Sequence, residues 1–131
     1  MIVGFDTGFF VKLFKGNEIA VKVWKEIEDK NKLAVVSSLT LFELHKLSLK
    51  GKIKKNFIND ILNGIPLVCE ISWLDNTKIL SLGANISHGT GIPAVDSLII
   101  AGFVLKNVEK IYTTDSHFER YQKKGIQIIK L

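Results

Sequence analysis

Short, uninterrupted apolar runs alternate with helix-patterned stretches along this whole chain, and that alternation leaves few folds open. Residues 1–5, 33–36, 66–71, 110–113 and 127–131 read as five strands. Between them lie predicted helices over 7–14, 18–30, 39–49, 52–62, 73–86, 93–106 and 116–124. Strands separated by helices pair in parallel, because a parallel connection needs a crossover that a hairpin cannot supply. The strands are apolar on both sides rather than alternating, as a sheet covered on both faces requires. The sequence therefore predicts an α/β architecture with a parallel sheet between helical layers.

The punctuation agrees. Gly16, Gly51 and Gly64 stand where helices should stop, and Ser37 and Ser38 offer N-caps for the helix over 39–49. Pro66 and Pro93 stand where elements should begin. In the helix over 18–30, Ile19, Val23, Trp24 and Ile27 form one apolar stripe. Residues 87–91 read as a loop, with Gly89, Thr90 and Gly91 turning the chain into Pro93.

No linker, repeat or low-complexity tract divides the 131 residues, so one domain over 1–131 is expected. No apolar run approaches the length of a membrane span, and the first residues reach an acid without a basic leader region. Cys69 is the only cysteine and lies in a predicted strand, which excludes an internal disulfide and fits a cytoplasmic setting. The net charge is +5, from 18 basic and 13 acidic residues. Arg120 is the only arginine. A lysine-rich surface favours the phosphate backbone of a polyanion over base-specific, bidentate reading. The densest basic stretch is Lys46, Lys50, Lys52, Lys54 and Lys55. It reads either as a track for RNA phosphates or as a solvated helical hairpin.

Four acids stand out. Asp6 directly follows the first strand and Asp115 the fourth, at the sheet edge where open α/β folds bind ligands. Each also suits a helix N-cap. Glu43 and Asp96 lie on apolar faces of their helices, where an unpartnered carboxylate is costly. A salt bridge from Glu43 to Lys46, or a helix-dipole role for Asp96, would be the ordinary alternatives. Together the four carboxylates suit a hard cation, Mg²⁺ or Mn²⁺, and in a lysine-rich chain such a site suits phosphodiester hydrolysis. Thr7, Thr113, Thr114 and Ser116 flank the acids and offer hydroxyls to orient carboxylates or waters.

Other chemistries find less support. His45, His88 and His117 show no zinc-like spacing, and the Ser-His pairs at 87–88 and 116–117 form no triad. No Gly-Lys-Ser/Thr follows the glycine-rich turn, so it is not a phosphate loop. A receiver domain would need a second acid beside Asp6 and an aspartate after the third strand, where Ser72 and Trp73 stand instead. Phe9, Phe10 and Phe14 read as core or as a dimer or docking surface.

Asp6-Thr7-Gly8 resembles the opening motif of PIN-domain nucleases. Residues 38–44, around Glu43, resemble the helix that carries their second acid. Ile92 to Ala101, around Asp96, resembles their third-acid helix, and Tyr112 to Phe118 their Thr-x-Asp-x-x-Phe segment. The four segments occur in family order. The resemblance implies a three-layer α/β/α sandwich with a five-stranded parallel sheet and one or two divalent ions held by the acids. It also implies an RNA substrate. Chain size is most similar to VapC toxins, which implies a homodimer and a small antitoxin protein as partner. A catalytically silent RNA- or protein-binding module on this scaffold is the alternative. Gly8 and Thr114 depart from the family pattern, which commonly has Ser at the first position and Asn or Arg at the second.

Overall fold

The computed structural model describes residues 1–131. Five strands form one sheet: β1 (Ile2–Phe5), β2 (Leu33–Ser37), β3 (Glu70–Ser72), β4 (Lys110–Thr113) and β5 (Gln127–Lys130). Six helices intervene: α1 (Thr7–Phe14), α2 (Glu18–Glu28), α3 (Ser38–Lys50), α4 (Lys55–Val68), α5 (Thr77–Thr90) and α6 (Ala94–Leu105). A short 3₁₀ helix covers Ser116–Arg120. The strand order is β3-β2-β1-β4-β5 and every pairing is parallel.

Each strand serves two cores, because successive side chains point to opposite faces. On one face Val3, Phe5, Ala34, Val36 and Tyr112 meet Phe9, Phe10, Val23, Trp24, Ile27, Leu44, Ile58 and Ile65 of α1 to α4. On the other, Val35 and Ile111 meet Ile79 and Ile86 of α5 and Ile99, Ile100 and Phe103 of α6. The apolar runs legible in the sequence are therefore explained by burial on both sides. Helix α6 packs where β1 has no side chain: a Cβ at Gly4 would lie 2.9 Å from the Phe103 ring.

Several boundaries differ from the sequence reading. Residues 66–68 are helical, not strand: α4 runs through Gly64 and Pro66 to Val68, and Cys69 N–H closes its last turn on Ile65 O at 2.8 Å. Ile58 and Ile65 lie on one buried face of α4, and that tertiary contact outweighs the single donor lost at Pro66. Helix α5 starts four residues later than predicted, at the Asn76 cap, whose side chain accepts from Ile79 N–H at 3.0 Å. It continues through Gly89 to Thr90, so the predicted loop there is helix. The predicted helix over 116–124 is only the 3₁₀ segment. Ile19 is exposed rather than part of the buried stripe of α2. Phe9 and Phe10 are fully buried against Phe5 and Trp24, which settles them as core and removes them as a dimer or docking surface.

Candidate metal centre at the switch point of the sheet

The strand order reverses between β1 and β4, and this is the position at which open α/β sheets form a crevice beyond their carboxyl ends. Asp6 leaves β1 and Asp115 follows β4 at that point. Helix α3, entering from β2, brings Glu43, and the first turn of α6 brings Asp96. A small cavity of about 160 Å³ is lined by Asp6, Thr7, Gly8, Glu43, Asp96, Ile99, Thr114 and Asp115. All four sequence-predicted acids thus share one pocket.

Asp6 is held at both oxygens. Oδ1 accepts from Phe9 N–H at 2.9 Å as the N-cap of α1, and Oδ2 accepts from the Thr113 hydroxyl. The capping alternative is therefore correct for Asp6, and so is the pocket position. Thr113 Oγ1 in turn accepts from Asp115 N–H at 2.9 Å, tying the two acids together through one buried hydroxyl. Thr7 donates to Glu43 Oε1 at 2.7 Å, which links α1 to α3. Glu43 makes no ion pair with Lys46. Asp115 Oδ1 accepts from His117 N–H at 2.8 Å, capping the 3₁₀ turn. Thr114 lines the pocket, whereas Ser116 is exposed and lies outside it.

Gly8 and Thr114 fit one another. A Cβ on Gly8 would lie 2.8 Å from Thr114 Cβ and collide with the Thr114 hydroxyl. In this chain the hydroxyl at 114 occupies space that a side chain at position 8 would need.

The electrostatics are those of crowded carboxylates. Burial raises Asp6 from 3.8 to about 6, against the Thr113, Phe9 and Thr114 hydrogen bonds that favour its charge, and with some help from Asp115. Burial also raises Asp96 from 3.8 to about 6, with the neighbouring Asp115 charge next in importance. Burial pushes Asp115 upward too, but the His117 N–H, the contact with Asp96 and the His117 charge outweigh it, and Asp115 lies below its ordinary value. Of this pair, Asp96 is the carboxyl that is harder to ionise.

Two features bear on whether a divalent cation fits here. The chain has 18 lysines and arginines, yet none forms an ion pair with any of the four acids. The donors are mainly carboxylate oxygens, the ligand class of Mg²⁺ and Mn²⁺. The residues fit such an ion. Sequence reasoning missed His117: its Nδ1 lies 2.8 Å from Asp115 Oδ1 and 4.0 Å from Asp96 Oδ2. Searching for paired histidines could not find it, because its partners are acids, one of them two residues away.

Beside the acid pocket runs a groove of about 360 Å³ that shares Thr7, Gly8 and Glu43 with it. Lys46 and Lys50 line this groove, together with Val11, Leu47 and the exposed Phe42. Lys52, Lys54 and Lys55 lie beyond α3, in the connection to α4 and at its start, and do not line the groove.

No curated protein matches the chain. Among solved structures it is similar to VapBC2 from Rickettsia felis bound to a DNA fragment from its promoter, at 21% identity and a TM-score of 0.75 over 100% of this chain and 99% of that one. It is similar to VapBC-1 from nontypeable Haemophilus influenzae at 20% identity and a TM-score of 0.67, covering 99% and 98%. It is also similar to FitAB bound to the IR36 DNA fragment, at 20% identity and a TM-score of 0.67, covering 99% and 94%. At such identities these likenesses establish the fold. The family model of the PIN domain matches residues 3–124, from β1 to beyond the last of the four acids, and the chain belongs to the PIN domain family.

Proposed function

We propose that this chain is a divalent-metal-dependent endoribonuclease and the toxin of a toxin–antitoxin pair. The observation that carries the reading is the convergence of Asp6, Glu43, Asp96 and Asp115 on one pocket without a lysine or arginine to neutralise them. Membership of the PIN domain family supports nuclease chemistry, and similarity to VapBC complexes supports an antitoxin partner. No helix is long and apolar enough to cross a membrane, and the reading places the protein in the cytoplasm as a homodimer.

In this reading the four acids hold Mg²⁺ or Mn²⁺. A bound ion supplies Lewis acidity toward a phosphate oxygen and makes water a better nucleophile near neutral pH. The chain's own part is to keep the carboxylates aimed. Thr113 fixes Asp6 and the backbone of Asp115, and Thr7 fixes Glu43. Thr114 carries a hydroxyl on the pocket wall with no hydrogen bond to the protein, free to meet water or a phosphate oxygen. Lys46 and Lys50 would guide the RNA backbone into the pocket, and Phe42 gives the groove an apolar side on which a base, or an apolar side chain of the antitoxin, can rest.

The test is cleavage of single-stranded RNA. The purified protein should cut with Mg²⁺ or Mn²⁺, stop on adding EDTA, and lose at least about a hundredfold in rate on Asp115→Asn. RNA binding by the wild type without cleavage under any divalent ion would instead favour a silent binding module.

A further inference from the structure

We propose that His117 is a nitrogen ligand to the ion held by Asp96 and Asp115, and that it biases the site toward first-row transition ions, Mn²⁺ among them, over Mg²⁺. The inference rests on the reading of the acid pocket as a metal centre and adds a ligand that the four acids do not imply.

Its ground is the position of one atom. His117 Nδ1 is buried and has no hydrogen-bond partner. The side chain is 43% exposed, but this atom faces inward, 2.8 Å from Asp115 Oδ1; a protonated ring pairs there with the carboxylate, whereas the neutral ring makes no aligned hydrogen bond and leaves its lone pair beside two acids. A buried polar atom without a partner costs free energy, and such atoms call for an explanation. The surroundings supply one. Ligand atoms of Asp96, Asp115 and His117 all lie within 4.8 Å of one another. An octahedron with bonds of about 2.1 Å has adjacent ligands about 3.0 Å apart and opposite ligands about 4.2 Å apart. The Nδ1 separations of 2.8 Å from Asp115 and 4.0 Å from Asp96 are close to these two values.

Local structure fixes the backbone that carries the ring. The His117 N–H is bound by Asp115 Oδ1, and Phe118 beside it is buried in the second core, so the 3₁₀ turn keeps the root of the imidazole next to the two acids. In the neutral tautomer with the proton on Nε2, Nδ1 presents a lone pair. Imidazole nitrogen is a borderline donor that adds affinity for transition ions and little for Mg²⁺, whose preferred ligands are oxygens. A pocket of four carboxylates alone would not discriminate in this way.

The test uses the full chain at pH 7.5 with Mn²⁺ and Mg²⁺ as probes. Pulsed electron paramagnetic resonance of the Mn²⁺-loaded wild type should show a directly bound nitrogen, absent in His117→Ala and in His117→Asn. By calorimetry, either variant should weaken Mn²⁺ binding about tenfold or more while changing Mg²⁺ binding less than about threefold. Mn²⁺ bound to the wild type without a nitrogen coupling overturns the role of His117 and leaves the acid site standing, as does an unchanged Mn²⁺/Mg²⁺ ratio in both variants. Failure of the wild type to bind either ion overturns the metal reading itself, and the inference with it.

Discussion

Asp6 does two jobs whose demands conflict. It caps α1 and closes a buried hydrogen bond with Thr113, and it also lines a pocket with three further acids. Its carboxyl, 5% exposed, rises from 3.8 to about 6 because burial disfavours its charge. A carboxyl raised in the folded state takes up its proton there before it does so in the unfolded chain. Folding is therefore penalised above about pH 6, and the penalty fades as the pH falls toward 4. The difference corresponds to about 3 kcal/mol at neutral pH. Asn keeps the capping oxygen and carries no charge. Asp6→Asn should therefore be more stable than the wild type by about 2 kcal/mol in urea melts with EDTA at pH 7.5, and equal to it at pH 3.5. A less stable variant at pH 7.5 would show that Asp6 is an ordinary cap. Gly8 supplies a second residue-scale prediction. Gly8→Ala should cost about 1–3 kcal/mol through its collision with Thr114, and Thr114→Ala in the same chain should recover most of that loss. Additive losses in the double variant would deny the contact. Asp6 and Asp115 were legible from their place directly after strands, and Glu43 and Asp96 because a carboxylate on an apolar helix face is out of place there. The hydroxyls that aim them were legible only as neighbours, and Ser116 shows that adjacency alone misleads.

At the scale of elements, α3 is the piece that connects pocket and groove. It carries Glu43 toward the acids, and Lys46 and Lys50, one and two turns on, toward the groove. The basic stretch that looks continuous in sequence is therefore divided by the end of the helix. Lys46→Gln with Lys50→Gln should lower the slope of log affinity against log salt for single-stranded RNA by about 1.4, at about 0.7 per phosphate contact. The triple change at Lys52, Lys54 and Lys55 should alter it less. Filter binding in EDTA, where cleavage cannot interfere, measures both, and a larger effect from the triple set would place the RNA elsewhere. Element boundaries were legible where a local signal decided them: β4 ends as predicted, and Ser37 caps α3 by accepting from Leu39 N–H. They were misread where tertiary burial decided. Pro66 and Gly89 are poor helix formers, but α4 and α5 bury Ile65 and Ile86 on faces that continue through those turns.

For the whole molecule, the sheet order sets the site. The chain starts in the middle strand, builds outward through β2 to β3, then returns to the other side of β1 with β4 and β5. That reversal opens the crevice into which residues 6, 43, 96 and 115 fall, far apart in sequence and close in space. The parallel sheet covered on both faces was legible from apolar runs and helix spacing. The strand order was not, since periodicity carries no information about which strands become neighbours.

A crevice built for a cation holds its carboxylates under strain when empty, and Asp96 tests this most directly. Its carboxyl is raised to about 6 by burial and by Asp115 beside it, so near pH 7 it is charged against its surroundings. Asp96→Asn removes one charge and keeps the shape. In thermal melts at pH 7 with EDTA, the variant should be more stable than the wild type by about 1 kcal/mol, and saturating Mg²⁺ or Mn²⁺ should raise the wild type's melting temperature and leave the variant's nearly unchanged. A variant that melts below the wild type in EDTA, with equal shifts for both proteins on adding either ion, would contradict the four-carboxylate site.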